Sequence, residues 1–106
     1  MSETKFTPGP WFPVSNGYYI EINLGNNELA PSVASACVSH GNNEIANAHL
    51  IAAAPDLYEA LKESVEFYRS EMIICESDGN EYVASQWRER LTKAESAMAK
   101  ARGEES

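Results

Sequence analysis

The spacing of apolar residues in the C-terminal half constrains this chain more than any other feature. Leu57, Leu61, Val65, Tyr68 and Met72 follow one another at steps of four, four, three and four. A helix brings such positions onto one face, so these five predict an apolar stripe on a helix running from Pro55 to about Ile74. Val83, Trp87, Leu91, Ala94 and Met98 repeat the pattern and predict a second helix, from about Glu81 to Arg102. Between the two stands Glu76-Ser77-Asp78-Gly79-Asn80, a turn centred on Asp-Gly, and Gly103 stops the second helix. Two amphipathic helices joined by so short a turn fold back as an antiparallel hairpin.

The first half reads as extended chain. In Trp11-Phe12-Pro13-Val14, Pro13 has no N–H to give to a ladder, which places this strand at an edge or keeps it short. Ser15-Asn16-Gly17 is a turn signal. Residues 18–23 then alternate, with Tyr18, Ile20 and Ile22 on one face and Tyr19, Glu21 and Asn23 on the other. After Gly25-Asn26-Asn27 and Pro31, residues 32–38 predict a third strand. Ala34, Ala36 and Val38 line one of its faces, and side chains that small invite a closely packed helix. Asn43 caps a helix with Glu44 in its first turn, and Pro55 ends or kinks that helix near Ala54 and opens the next. Leu50, Leu57 and Leu61 are expected to bury against the sheet. Strands followed by helices predict an α+β fold: a small antiparallel sheet of about three strands, a kinked helix, and a C-terminal antiparallel helical hairpin. The expected organisation is one domain over residues 1–106, with 1–6 and 103–106 disordered. Open sheet edges and a bare sheet face would be covered in a homodimer or higher homo-oligomer.

Charge narrows the function. Sixteen acidic residues against eight basic ones give a formal net charge of −8, the opposite of what free nucleic acid or an anionic membrane recruits. No lysine or arginine stands between Lys5 and Lys62. No apolar segment follows Met1 to Lys5, and no run approaches a membrane span, so a cytoplasmic protein is expected. Cys37 and Cys75 have neither a zinc-site nor a redox-pair spacing, and His40 and His49 fit no metal-binding pattern. Glu59, Glu63, Glu66, Glu89 and Glu95 read as solvated helix faces paired with Lys62, Arg69 or Lys93, without the cleft that paired catalytic carboxylates need. No catalytic group, cofactor or metal is expected.

Two segments are more distinctive. One is Thr7-Pro8-Gly9-Pro10-Trp11; the other is Asn47-Ala48-His49-Leu50-Ile51-Ala52-Ala53-Ala54-Pro55-Asp56-Leu57-Tyr58-Glu59-Ala60-Leu61. Together they resemble a widespread group of small phage and prophage accessory proteins. Members of that group open with a Thr-Pro-Gly-Pro-Trp-like stretch and carry an Asn-Ala-x-Leu-Ile-Ala-Ala-Ala-Pro-(Asp/Glu)-Leu block. The likeness covers roughly residues 7 to 65. This chain departs from it at His49, where arginine is common, and at Tyr58, where leucine is common. The resemblance implies a phage origin and an accessory role. Small phage proteins often antagonise host defences, so a host defence protein becomes the expected partner, bound in the host bacterial cytoplasm.

The candidate contact residues are the aromatics Trp11, Phe12 and Tyr19, the polar residues Asn43, Asn47 and His49 around the first helix, and the basic residues Arg69 and Arg88. Aromatics dominate protein contacts. On alternating strands Trp11 and Tyr18 turn inward while Phe12 and Tyr19 turn out, or the reverse. Asn47, in a helix that asparagine does not favour, is either a tie to the strand loop or a ligand contact. Three functions remain open: a binder of a host protein, a small-molecule binder that sequesters a nucleotide immune signal, and a structural or regulatory phage protein. The arginines discriminate between the first two. Gathered at a pocket they favour a nucleotide; paired with glutamates they favour a protein partner.

Overall fold

The computed structural model describes residues 6–17, 19–36 and 43–104. In chain order the elements are β1 (Phe12–Ser15), β2 (Ile20–Asn23), β3 (Ser32–Ala36), α1 (Asn43–Ala52), α2 (Ala54–Ser77) and α3 (Glu81–Ala101). The strands form one antiparallel sheet in the order β1-β2-β3, so this is an α+β fold with its helices after its sheet. Residues 6–57 make one compact unit, and the helical chain from Tyr58 makes another.

In the sheet unit, Pro13 lies on an edge strand opposite Ile22, where its missing N–H costs least. Gly17 takes φ +95° in the turn after β1. Cross-strand partners share a face, which groups Pro13, Ile22 and Ala34 on one side and Phe12 and Asn23 on the other. The register slips between Ile22 and Asn23: Asn23 pairs with Ser32 and Ile22 with Ala34, leaving Val33 as the extra residue of a bulge. Through that bulge the neighbours Val33 and Ala34 both reach the core. This core is Ile22, Ala48 and Ala52, ringed by Trp11, Ile20, Val33, Ala34 and Ile51.

The leucines expected in this core are not there. Leu50 is 64% exposed and Leu57 54%, while Leu61 is half-buried in the helical unit. The sheet face already carries the bulk, in Ile22, Ile20 and Trp11. A helix meets it closest where its own side chains are smallest, at Ala48 and Ala52 one turn apart. The corner after α1 is equally tight. Ala53 separates α1 from α2, and Pro55 is buried in the first turn of α2. A Cβ built on Gly9 would stand 2.7 Å from the Cβ of Pro55. The Thr-Pro-Gly-Pro-Trp and Ala-Ala-Ala-Pro segments are thus two sides of one contact.

In the helical unit, Tyr58 and Val65 are buried along α2, with Leu61, Tyr68, Met72 and Cys75 half-buried between and beyond them. The stripe therefore starts at Tyr58, not Leu57. Ala84, Leu91, Ala94 and Met98 are buried along α3, with Trp87 half-buried among them. Both stripes advance by alternating threes and fours, the heptad pattern of helices packed side by side. α2 ends where Gly79 takes φ +76°, with Asn80 N–H donating to Cys75 C=O (2.9 Å) and Gly79 N–H to Glu76 C=O (3.1 Å). Asn80 then caps α3, its side chain accepting from Val83 N–H at 3.3 Å. Gly103 (φ +77°) repeats the stop, with Glu104 N–H donating to Ala99 C=O. Gly103 and Glu104 therefore form a helix terminus, and Phe6 stands edge-on to Trp11. Residues 1–5 and 105–106 lie outside the described residues.

Candidate partner-binding surfaces

Alternation along the strands settles the aromatics of the sheet unit. Trp11 turns toward α1 and packs on the Ile22–Ala48–Ala52 core, and its indole N–H donates to Thr7 C=O at 3.2 Å. It is half-buried against that core. Phe12 shares the opposite face with Glu21 and Asn23. Tyr19 is exposed and donates its hydroxyl to Glu21 Oε2 at 3.3 Å. Asn23 is fully buried there. Its amide donates to Asn27 C=O (3.1 Å) and Glu21 Oε1 (3.4 Å), while its Oδ1 is enclosed without a donor among the described residues. Phe12, Tyr19 and Glu21 thus form a small mixed surface around a buried amide.

Asn43, Asn47 and His49 are all exposed on α1. Asn47 makes no side-chain hydrogen bond among the described residues. The helix uses the alanines on either side of it, Ala48 and Ala52, and turns Asn47 to solvent. Tyr18, Cys37 and His40 lie outside the described residues, and Cys75 is a free, half-buried thiol.

The arginines of the helical unit do not gather at a ligand. Arg69 on α2 pairs with Glu95 on α3, and Arg88 on α3 pairs with Glu76 on α2 at 2.7 Å and with Glu81 at 3.3 Å. These positions flank the apolar stripes, where packed antiparallel helices place their cross-links. Lys62 and Lys93 take no carboxylate among the described residues, and the expected pair of Arg69 along its own helix gives way to one between helices. Arg102, which spacing does not single out, donates through Nη1 to the hydroxyl of buried Tyr58 (2.8 Å) and through Nε and Nη2 to Glu104 (both 3.0 Å). Those hydrogen bonds, Glu104 first and Tyr58 second, raise its guanidinium pKa further. Glu76 and Glu81 do the same for Arg88.

A cleft of about 320 Å³ opens between α2 and α3, with Val65 and Met98 as apolar lining and Arg69, Glu95 and Arg102 as polar lining. Both guanidiniums in it already hold a carboxylate, so the cleft offers little unspent positive charge. A different flank of the hairpin is aromatic. Phe67, 55% exposed, stands edge-on to Trp87 at 5.7 Å, Tyr68 lies 5.8 Å from the same ring, and Arg90 sits 5.0 Å above it. Phe67, which the reading of the stripe passed over, is an apolar residue beside that stripe, and the offset is the sequence signal for an exposed one.

Among the described residues no three His, Cys, Asp or Glu side chains cluster to hold a metal ion, and no helix is long and apolar enough to cross a membrane. Residues 1–105 match the model of a protein family described as Salmonella phage P22 protein Y8K6. No curated protein and no solved structure matches the chain.

Proposed function

The chain belongs to the Salmonella phage P22 protein Y8K6 family, and from that premise we propose that it is a phage-encoded, non-enzymatic accessory protein that binds a host protein, a component of host defence, in the host cytoplasm. The observation that carries this reading is the state of the arginines. Arg69, Arg88 and Arg102 are each neutralised by glutamates of the same hairpin. A nucleotide phosphate entering the cleft beside Arg69 and Arg102 would have to displace a carboxylate from each, at the cost of a charge-assisted hydrogen bond. Acids are also left without an ion pair among the described residues. Glu59, Glu63 and Glu66 are exposed within two turns of α2 and have no ion pair among the described residues. With a formal net charge of −8, that surface suits a basic protein groove.

Affinity capture from an infected host, analysed for proteins and metabolites, tests the proposal. The wild-type chain is expected to recover a host protein at low salt, and a Glu59→Lys, Glu63→Lys, Glu66→Lys variant to recover much less of it. A retained nucleotide with no enriched protein would sink the reading.

A further inference from the structure

We infer that the Phe67–Trp87 flank of the helical hairpin is an interface between two copies of this chain. The sides of the hairpin differ in character. Where Arg69 meets Glu95 and Arg88 meets Glu76, α2 and α3 are cross-linked by charge. The Phe67 flank is apolar and open. Phe67 and Ile74 lie two helical turns apart on α2 and are 55% and 52% exposed, and Phe67 rests edge-on against Trp87 of α3. A pair of antiparallel helices with one apolar side uncovered is half of a four-helix bundle, and a second such pair completes it.

Charge selects the occupant. Arg90 caps the Trp87 ring and takes no carboxylate among the described residues. Glu71, one turn beyond Phe67 on α2 and half-buried, takes no cation among them. The flank therefore carries unmatched acids on α2, Glu71 and, one turn to the other side of Phe67, Glu63, and an unmatched base, Arg90, on α3. A two-fold axis that lays α2 of one copy along α3 of the other matches Glu71 with Arg90, twice over. A basic foreign protein would find its complement on Glu59 and Glu66 and would meet Arg90 with repulsion here. The flank is self-complementary although the chain as a whole is acidic.

The test is the mass of the intact chain in solution, by light scattering and sedimentation, from micromolar to near-millimolar concentration. Wild type is expected at twice the monomer mass. Phe67→Glu is expected to weaken association by about 30-fold or more, as loss of a central aromatic anchor does, with the helical circular dichroism unchanged because Phe67 is exposed within one copy. Arg90→Glu should weaken the dimer as well, and Arg90→Glu with Glu71→Arg should restore it, a comparison that decides the matter if Phe67→Glu fails to fold. A wild type that stays monomeric throughout, or a dimer indifferent to both sets of changes, overturns the inference. So does a monomeric wild type whose Phe67→Glu form loses a captured host protein, since that assigns the flank to a foreign partner.

Discussion

Replacing Gly9 by alanine puts a methyl group where Pro55 already stands. The new Cβ would lie 2.7 Å from Pro55 Cβ and 3.0 Å from Pro55 Cγ, against an optimum of about 3.5–4.0 Å between carbons. Neither partner yields easily. Pro55 is a closed ring, buried, in the first turn of α2, so relief requires the arm or the corner to shift. Overpacking of this kind costs about 1–3 kcal/mol. Alanine also removes about 0.4–1 kcal/mol of unfolded-state freedom, which acts in the opposite direction. The net expectation is a loss of about 1–2 kcal/mol, and each kcal/mol lowers Tm by about 4–8 °C in a domain of this size. Urea titration and thermal melting followed by circular dichroism measure it. A double-mutant cycle isolates the cause, because Pro55→Gly removes the atoms that Cβ would strike. The cost of Gly9→Ala should largely vanish in that background. Equal stability of Gly9→Ala and wild type, or an undiminished cost when Pro55→Gly is also present, would refute the reasoning.

The other predictions rest on packing, charge and capping. Ala48→Leu, which forces a large side chain between α1 and Ile22, is expected to cost about 1–3 kcal/mol, whereas Leu50→Ala should stay within about 0.5 kcal/mol of wild type because Leu50 is largely exposed; both follow from urea midpoints. Arg69→Glu and Glu95→Arg should each destabilise slightly and the double reversal recover, with a coupling of about 0.2–1 kcal/mol that shrinks as salt is added. Asn80→Ala removes the cap of α3 and is expected to lower stability by about 0.5–2 kcal/mol, visible as a lower urea midpoint.

The helical hairpin was legible because its stripes are long and the turn between them is marked by Asp78-Gly79. The strands were legible from the turn at Asn16-Gly17 and from the alternation that leads into Ile20 and Ile22. Burial on α1 and in the first turn of α2 was not. Leu50 and Leu57 outrank alanine on any scale of hydrophobicity, yet the distance between helix and sheet is set by bulk already present on the sheet, and Ala48 and Ala52 suit that gap. The placement of Trp11 inward and of Phe12 and Tyr19 outward was one of two alternatives left open by alternation, and only the register of β1 on β2 decides between them. Arg69 and Arg88 read as ligand contacts because a sequence does not show which glutamate lies across the hairpin. The partner of Arg102, Tyr58, is remote along the chain for the same reason. Asn47 offered no signal to distinguish a solvated amide from a buried one.

The meeting of Gly9 with Pro55 makes the sheet-bearing part of the chain a loop clasped near its own two ends. The proline-rich arm is therefore half of a fastening, not a leader to be trimmed for convenience. Cutting the protein back to Trp11 would leave Pro55 bare and strip the Thr7 carbonyl acceptor from the Trp11 indole.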